Sequence, residues 1–310
     1  MTTRTHHPGR IHVYGVPMDL GQEKRGVDLG PIAIRYAGLA ERLKRQGWEV
    51  IDHGDMSMDA SRLMMRKVNF GGHTVYHSSA IINIARSLHH RIEEDARLQD
   101  KVLMLGGDHS ASLGSVASTL QRPGRAGVIW IDAHGDFNTP QTSPSGNVHG
   151  MVVAWLMGRG IPRPGVCEIN LQPDQVCMIA IRDLDPLEAA NLDASGINVA
   201  TIRDVEERGI SVVVHDALDR LGDIDSLHVS FDLDSLEPAV APGVGTPVPG
   251  GLTQREALLL AEILGDDGRV TTLDLVEVNP ILDEANKTAR FAVDIAASLM
   301  GERILHPEDV

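Results

Sequence analysis

Cysteine, aromatic side chains and positive charge are all scarce in this chain. Its two cysteines, Cys167 and Cys177, are too few for a disulfide framework and match no zinc-binding spacing. Both are expected to pack as small hydrophobes in a reducing compartment, the cytoplasm. Lys and Arg number 28 against 43 Asp and Glu, a net charge of −15. Binding nucleic-acid phosphates takes a basic surface that displaces counterions, so nucleic acid is not an expected partner. No apolar run approaches the ~18 residues of a membrane span, and the first ten residues carry no apolar segment behind their arginines, so neither membrane insertion nor export is expected. Repeats, low-complexity tracts and Pro/Ser-rich linkers are also missing, which leaves one domain spanning 1–310 as the expectation.

With 42% apolar and 23% charged residues the chain falls among globular proteins rather than disordered or fibrous ones. Short β-branched runs at 11–16, 48–51, 102–105, 128–131, 176–181, 227–231 and 271–276, with a weaker one at 197–201, alternate with stretches of helical periodicity. Helices are expected over 31–45, 74–94, 111–120, 150–157, 186–192, 212–221, 254–264 and 285–299. The alternation predicts an α/β fold of three layers, helices on both faces of a mainly parallel central sheet. Two irregular stretches, 132–149 and 232–252, are long for loops inside a domain, and such loops usually carry function.

Four strands end in acidic or histidine residues: Leu105-Gly106-Gly107-Asp108-His109, Ile131-Asp132-Ala133-His134-Gly135-Asp136, Phe231-Asp232-Leu233-Asp234 and Val276-Glu277. Ligands of open α/β sheets bind outside the carboxyl ends of strands, so the four clusters should meet in one crevice. In extended backbone Asp132, His134 and Asp136 share a face. Asp232 and Asp234 repeat the device, and His109 adds a second imidazole. Four carboxylates gathered at one buried place repel unless cations offset them, and two divalent ions balance their charge. An oxygen-rich set with two imidazoles and no thiolate suits manganese ahead of iron, cobalt or zinc. Asp after a strand is also a common turn former and helix cap; four such clusters at four strand ends favour the metal reading. The remaining histidines, such as His6, His7, His89 and His90, read as solvated side chains.

At these residues the sequence resembles the ureohydrolase family, and within it the arginases of bacterial type. The resemblance rests on Gly106-Gly107-Asp108-His109-Ser110, Asp132-Ala133-His134-Gly135-Asp136, Ser230-Phe231-Asp232-Leu233-Asp234 and Glu277-Val278-Asn279-Pro280, and extends to the opening segments from Gly15 to Gly21 and Gly26 to Pro31. The segment from Asn138 to Gly150 resembles the arginase loop that recognises the amino-acid end of arginine, where agmatinases carry a different one. It holds no Lys or Arg before His149, so a carboxylate there would be bound by neutral donors and water. Only about ten residues follow the last expected helix, and Val152 stands where many relatives have Pro.

The resemblance implies an arginase-like fold, a homo-trimer or homo-hexamer, and hydrolysis of L-arginine to L-ornithine and urea by a hydroxide bridging two Mn2+ ions per subunit. One ion would be held by His109, Asp132, Asp136 and Asp232, the other by Asp132, His134, Asp232 and Asp234. Asn138, Ser145 and Asn147 would bind the substrate carboxylate, Asp185 and Glu188 its α-ammonium, and Thr246 would lie near the guanidinium. Glu277 would grip the guanidinium nitrogens, Asp136 pass a proton to the leaving amine, and His149 exchange protons with solvent. A hydrolase of agmatine or a guanidino acid, a silent arginine or metal binder, and a metal-dependent deacylase remain open at this point.

Overall fold

The computed structural model describes residues 9–58, 67–163 and 165–304; His6, His7 and the first eight residues of the N-terminal segment lie outside them. In chain order the first elements are β1 Arg10–Val16, α1 Gly30–Tyr36, α2 Leu39–Arg45, β2 Glu49–Asp55, β3 Lys67–Phe70, β4 His73–Tyr76, α3 Ser78–Asp95, β5 Lys101–Gly106, α4 Ser112–Leu120 and β6 Ala126–Ile131. They are followed by α5 Val152–Leu156, β7 Val176–Ile181, α6 Pro186–Asp193, β8 Asn198–Thr201, α7 Ile202–Arg208, α8 Ile210–Leu221, β9 Ser226–Asp232, α9 Gln254–Asp267, β10 Val270–Val276 and α10 Lys287–Leu299.

Eight of these strands form one sheet in the order β2-β1-β5-β10-β9-β6-β7-β8, and every pair in it is parallel. Strands buried on both faces read as continuous apolar runs, and β6, β7 and β9 are buried at every position. Alternate residues feed two cores. Leu103, Leu105, Val229 and Phe231 pack toward α1, α8, α9 and α10, whereas Val102, Met104, Val128 and Trp130 pack toward α3, α4 and α5. The four strands that end in the acidic and histidine clusters, β5, β10, β9 and β6, are neighbours at the centre of the sheet. Their carboxyl ends therefore open side by side, as the crevice rule requires.

Three expectations about elements fail, each for a local reason. The helix expected over 31–45 is broken into α1 and α2 at Gly38, whose φ of +92° a helix interior does not accommodate. The helix expected from 74 begins only at Ser78, because 73–76 is β4, paired antiparallel with β3 across Gly71 and Gly72. Both glycines have positive φ, the two-residue turn a tight hairpin uses. The segment before the helix expected at 212 forms α7, started by a Thr201–Asp204 capping box. The helix expected over 150–157 begins at Val152, after a single 3-10 turn over His149–Met151, and the Val152 φ of −60° is the value a proline would fix. Cys167 and Cys177 are free and buried, as expected.

One face of β9 is polar although fully buried. His228 Nε2 meets Asp274 Oδ2 of β10 at 3.0 Å, and its Nδ1 meets Thr119 Oγ1 of α4 at 2.9 Å, while Ser115 Oγ donates to the same Asp274 oxygen at 2.6 Å. Removing one partner of such a pair leaves the other uncompensated in the interior. His228→Ala should therefore cost about 3–5 kcal/mol in urea denaturation; a loss below about 1 kcal/mol would show that Asp274 needs no partner there.

Candidate metal centre

Asp132 directly follows β6 and Asp232 ends β9, so each carboxylate stands at the mouth of a rigid strand. Asp232 Oδ1 accepts from Asp234 N–H at 2.7 Å, and Asp132 Oδ1 accepts from His134 N–H at 2.7 Å. Each aspartate thus folds the chain after it into a turn that returns the next ligand-type side chain to the same place. Asp136 completes the run in a left-handed conformation, φ +47°, which a non-glycine residue holds only under constraint from its surroundings.

His109 follows β5. Its backbone N–H donates to Glu277 Oε1 at 2.9 Å, its Nε2 lies 2.8 Å from Ser230 Oγ, and its ring stacks on Trp130 at 4.0 Å between centroids. These contacts leave Nδ1 facing the centre. Asp132 Oδ2 at 3.0 Å, Asp136 Oδ2 at 3.1 Å and Asp232 Oδ2 at 3.1 Å all surround that one nitrogen, which has a single proton to give. In the second set His134 Nδ1 stands 3.3 Å from Asp132 Oδ1 and 3.2 Å from Asp234 Oδ2. Asp132 spans the two sets with one oxygen in each.

This donor set fits cations. Ligands about 2.1 Å from a common divalent ion and at right angles stand ~3.0 Å apart, the spacing seen around His109. His109 Nδ1 and Asp136 Oδ2 are buried with no hydrogen-bond partner of acceptable geometry, as atoms aimed at an ion would be. The protonation balance gives the same picture. Burial raises the pKa of Asp232 well above the carboxylate range, with Asp234 and Asp132 adding to it, and burial beside Asp132 lifts Asp136 to about 6. Burial alone would lower the His109 pKa, but its three carboxylate neighbours raise it well above the ordinary value. Without cations the cluster has to take up protons.

The six residues read from the sequence as ligands are brought together here, and those read as substrate-binding line the same cavity of about 170 Å³. Asn138 Nδ2 donates to Asp185 Oδ2 at 3.0 Å; Glu188 accepts from Phe137 N–H at 2.8 Å and Asp185 N–H at 3.2 Å. Ser145 Oγ accepts from Asn147 N–H at 3.2 Å, and Thr246 Oγ1 donates to Asp234 Oδ2 at 2.9 Å. His149 Nδ1 lies 3.5 Å from Glu277 Oε1. Burial opposes charge on His149, yet Glu277, Asp136 and Asp108 together raise its pKa. Glu277 is almost wholly buried with φ +66°, its second oxygen accepting from Gln22 Nε2 at 2.6 Å.

Several neighbours escaped the reading of the sequence. Trp130 Nε1 donates to Asp132 Oδ2 at 3.1 Å, and Ser230 orients His109. Each stands two positions before a ligand-type residue on its strand, hence on the same face. Arg182 donates to Asp234 O at 2.7 Å and Val248 O at 2.7 Å, tying the Asp234 turn to the loop that carries Thr246. Asp108 does act as a cap: it accepts from Ser110 N–H at 3.0 Å and from Gly21 N–H at 2.8 Å. The β3–β4 hairpin braces the 138–149 loop through Tyr76 N–H to Gly146 O at 3.0 Å; at φ +76°, with Thr74 O only 2.4 Å from where a Cβ would stand, Gly146 has no room for a side chain.

The family model for the Arginase family matches residues 9–301. The chain belongs to the arginase family. The arginase of Bacillus subtilis strain 168 is 42% identical over 299 residues, covering 95% of this chain and 99% of that one. The arginase of Bacillus caldovelox is equally similar, 42% over 299 residues with the same coverage. The crystal structure of arginase from Bacillus cereus superposes with a TM-score of 0.88 at 39% identity, covering 96% of this chain and all of that one. Membership in the arginase family makes the chain a metal-dependent hydrolase, and its fold is the arginase fold.

Because burial and the neighbouring charges favour the protonated forms of His109 and Asp232, metal loading should release protons, and cation affinity should fall as pH is lowered, most steeply below about 6, where Asp136 also takes up a proton. Calorimetric titration of the metal-free protein in buffers of different ionisation enthalpy reads this directly; a heat that is independent of buffer would contradict this protonation balance.

Proposed function

We propose that this chain hydrolyses L-arginine to L-ornithine and urea with two divalent cations bound, one by His109, Asp132, Asp136 and Asp232 and the other by Asp132, His134, Asp232 and Asp234. The same reading carries manganese as the metal, a homo-trimeric or hexameric assembly, a cytoplasmic location and a single domain over the whole chain. Its main support is one juxtaposition: two converging donor sets that share Asp132 open into a cavity walled by a loop free of lysine and arginine. Bound divalent cations supply a water deprotonated near neutral pH and offset the clustered carboxylates.

The chain's own groups then do the positioning. Guanidinium is a poor electrophile because its charge is delocalised, so holding the plane at a fixed orientation matters. Glu277 accepts paired N–H groups of the guanidinium, exchanging the Gln22 amide for substrate. Thr246, fixed by its bond to Asp234, lies beside the same group. At the other end Asn138, Ser145 and Asn147 donate to the α-carboxylate, and Asp185, held at the start of α6 by Glu188, accepts from the α-ammonium. Asn138 and Asp185 are bonded to each other in the free protein and part to receive the two ends of the amino acid.

In the reaction water oxygen adds to the guanidinium carbon, the bond from that carbon to the chain nitrogen breaks, and that nitrogen leaves as the amine of ornithine. Asp136 takes the proton from the water and delivers it to the leaving nitrogen. His149, at the rim and beside Glu277, exchanges protons with solvent. Protonation of the ligands at low pH releases metal and stops turnover.

Urea release from arginine and not from agmatine is the expected result of a metal-supplemented assay, and turnover that survives dialysis against a strong chelator would end the metal reading. Asp234→Ala should lose metal, whereas His149→Asn should keep it and slow turnover by roughly 10²–10⁴-fold. Equal metal loss in both variants contradicts the roles given to them. Asn147→Asp should raise KM for arginine, because it sets one carboxylate against another.

A further inference from the structure

One turn of α3 gathers a second set of ligand-type side chains, outside the cavity of the metal centre. His89 and His90 precede Glu93 by four and three residues, the spacings that meet on a helix surface. His89 Nε2 lies 3.4 Å and His90 Nδ1 3.8 Å from Glu93 Oε2, and one ligand atom from each residue falls within 4.8 Å of the others. His90 and Glu93 are exposed. His89 is not, contrary to its reading as a solvated residue: it is 3% exposed, because its ring turns inward against α4.

That inward contact decides which nitrogen is free. His89 Nδ1 is 3.0 Å from Ser118 Oγ, and the Ser118 hydroxyl donates to Gly114 O one helical turn back, at 3.1 Å. With Gly114 O and His89 O both available to take its own proton, the Ser118 hydroxyl is free to accept from His89 Nδ1–H, and in that tautomer the neutral ring presents the lone pair of Nε2 toward the Glu93 carboxylate. Burial keeps the His89 pKa below the ordinary histidine value, which favours the neutral ring. A lone pair facing a carboxylate oxygen at this distance is repulsive until a cation lies between them. An imidazole with one N–H held by the protein and the other nitrogen directed at an ion is the usual arrangement of a metal ligand.

We propose that His89, His90 and Glu93 form a further cation site, independent of the candidate metal centre, that takes a nitrogen-preferring divalent transition metal of the zinc type. Two imidazoles and one carboxylate are a zinc-like donor set, in contrast to the four carboxylates and two imidazoles at the sheet. Water completes the coordination, and the ion links two successive turns of α3 on the surface.

The test is a zinc titration of the manganese-loaded protein, with both metals quantified after desalting. The expected result is one zinc per chain in addition to the manganese retained. His90→Ala and Glu93→Gln, both at exposed positions, should each weaken zinc binding by at least about tenfold, with manganese content and urea release unchanged. Ser118→Ala keeps all three ligands and releases only His89 Nδ1, and should weaken zinc by about 10–100-fold. The proposal is overturned if no additional zinc is bound, if zinc enters only as manganese leaves, or if His90→Ala and Glu93→Gln bind it as the parent does.

Discussion

Four carboxylates buried within reach of two imidazoles form an arrangement that repels itself, and much of the structure around the sheet's carboxyl edge serves to hold it. Asp132 and Asp232 extend from β6 and β9 and each caps the turn that follows it. His109 is fixed at three points, by Glu277, Ser230 and the face of Trp130. Positive φ at Asp136 and Glu277 is the backbone cost of bringing these groups inward. Nothing in the apolar cores asks for such a cluster; it makes sense only with cations in place.

The sheet supplies the rigidity. Because β5, β10, β9 and β6 are adjacent and parallel, their ends form one ledge. The period of two along each strand then lays supporting residues beneath the donors. Ser230 sits beneath Asp232, and His228 continues the same polar face into the core, joined to Asp274 and to α4. The substrate side is built differently, from loops: 137–149 is braced by the β3–β4 hairpin and, at Phe137, by Glu188, and the Thr246 loop by Arg182. A rigid ledge facing adaptable loops suits a site in which the reacting end of a substrate is fixed and its far end is selected by shape.

The central strands were legible in the sequence because a parallel strand covered on both faces has nowhere to put polar residues. The six ligand-type residues were legible because Asp and His directly after such strands stand out against the apolar run. Elements at the periphery were harder to read. β3 and β4 are short and half exposed: β3 raises no expectation and β4 runs directly into the long helix behind it, although Thr74, Val75 and Tyr76 favour a strand and Gly71 and Gly72 did signal the turn. Gly38 likewise marked the break between α1 and α2. Gln22 on Glu277, Arg182 on the carbonyls of Asp234 and Val248, and Ser118 on His89 are contacts between distant parts of the chain, with no local pattern to announce them. Asp108 shows the converse, a residue in a rich motif whose job is to cap a turn and anchor Gly21.

The claim on which the rest depends is that two cations lie between these donors with Asp132 common to both. Anomalous diffraction from crystals grown with manganese measures it directly. Two peaks per subunit are expected, one bounded by His109 and Asp136, the other by His134 and Asp234, with an oxygen of Asp132 directed at each. A single peak, or a pair lying elsewhere, would contradict it.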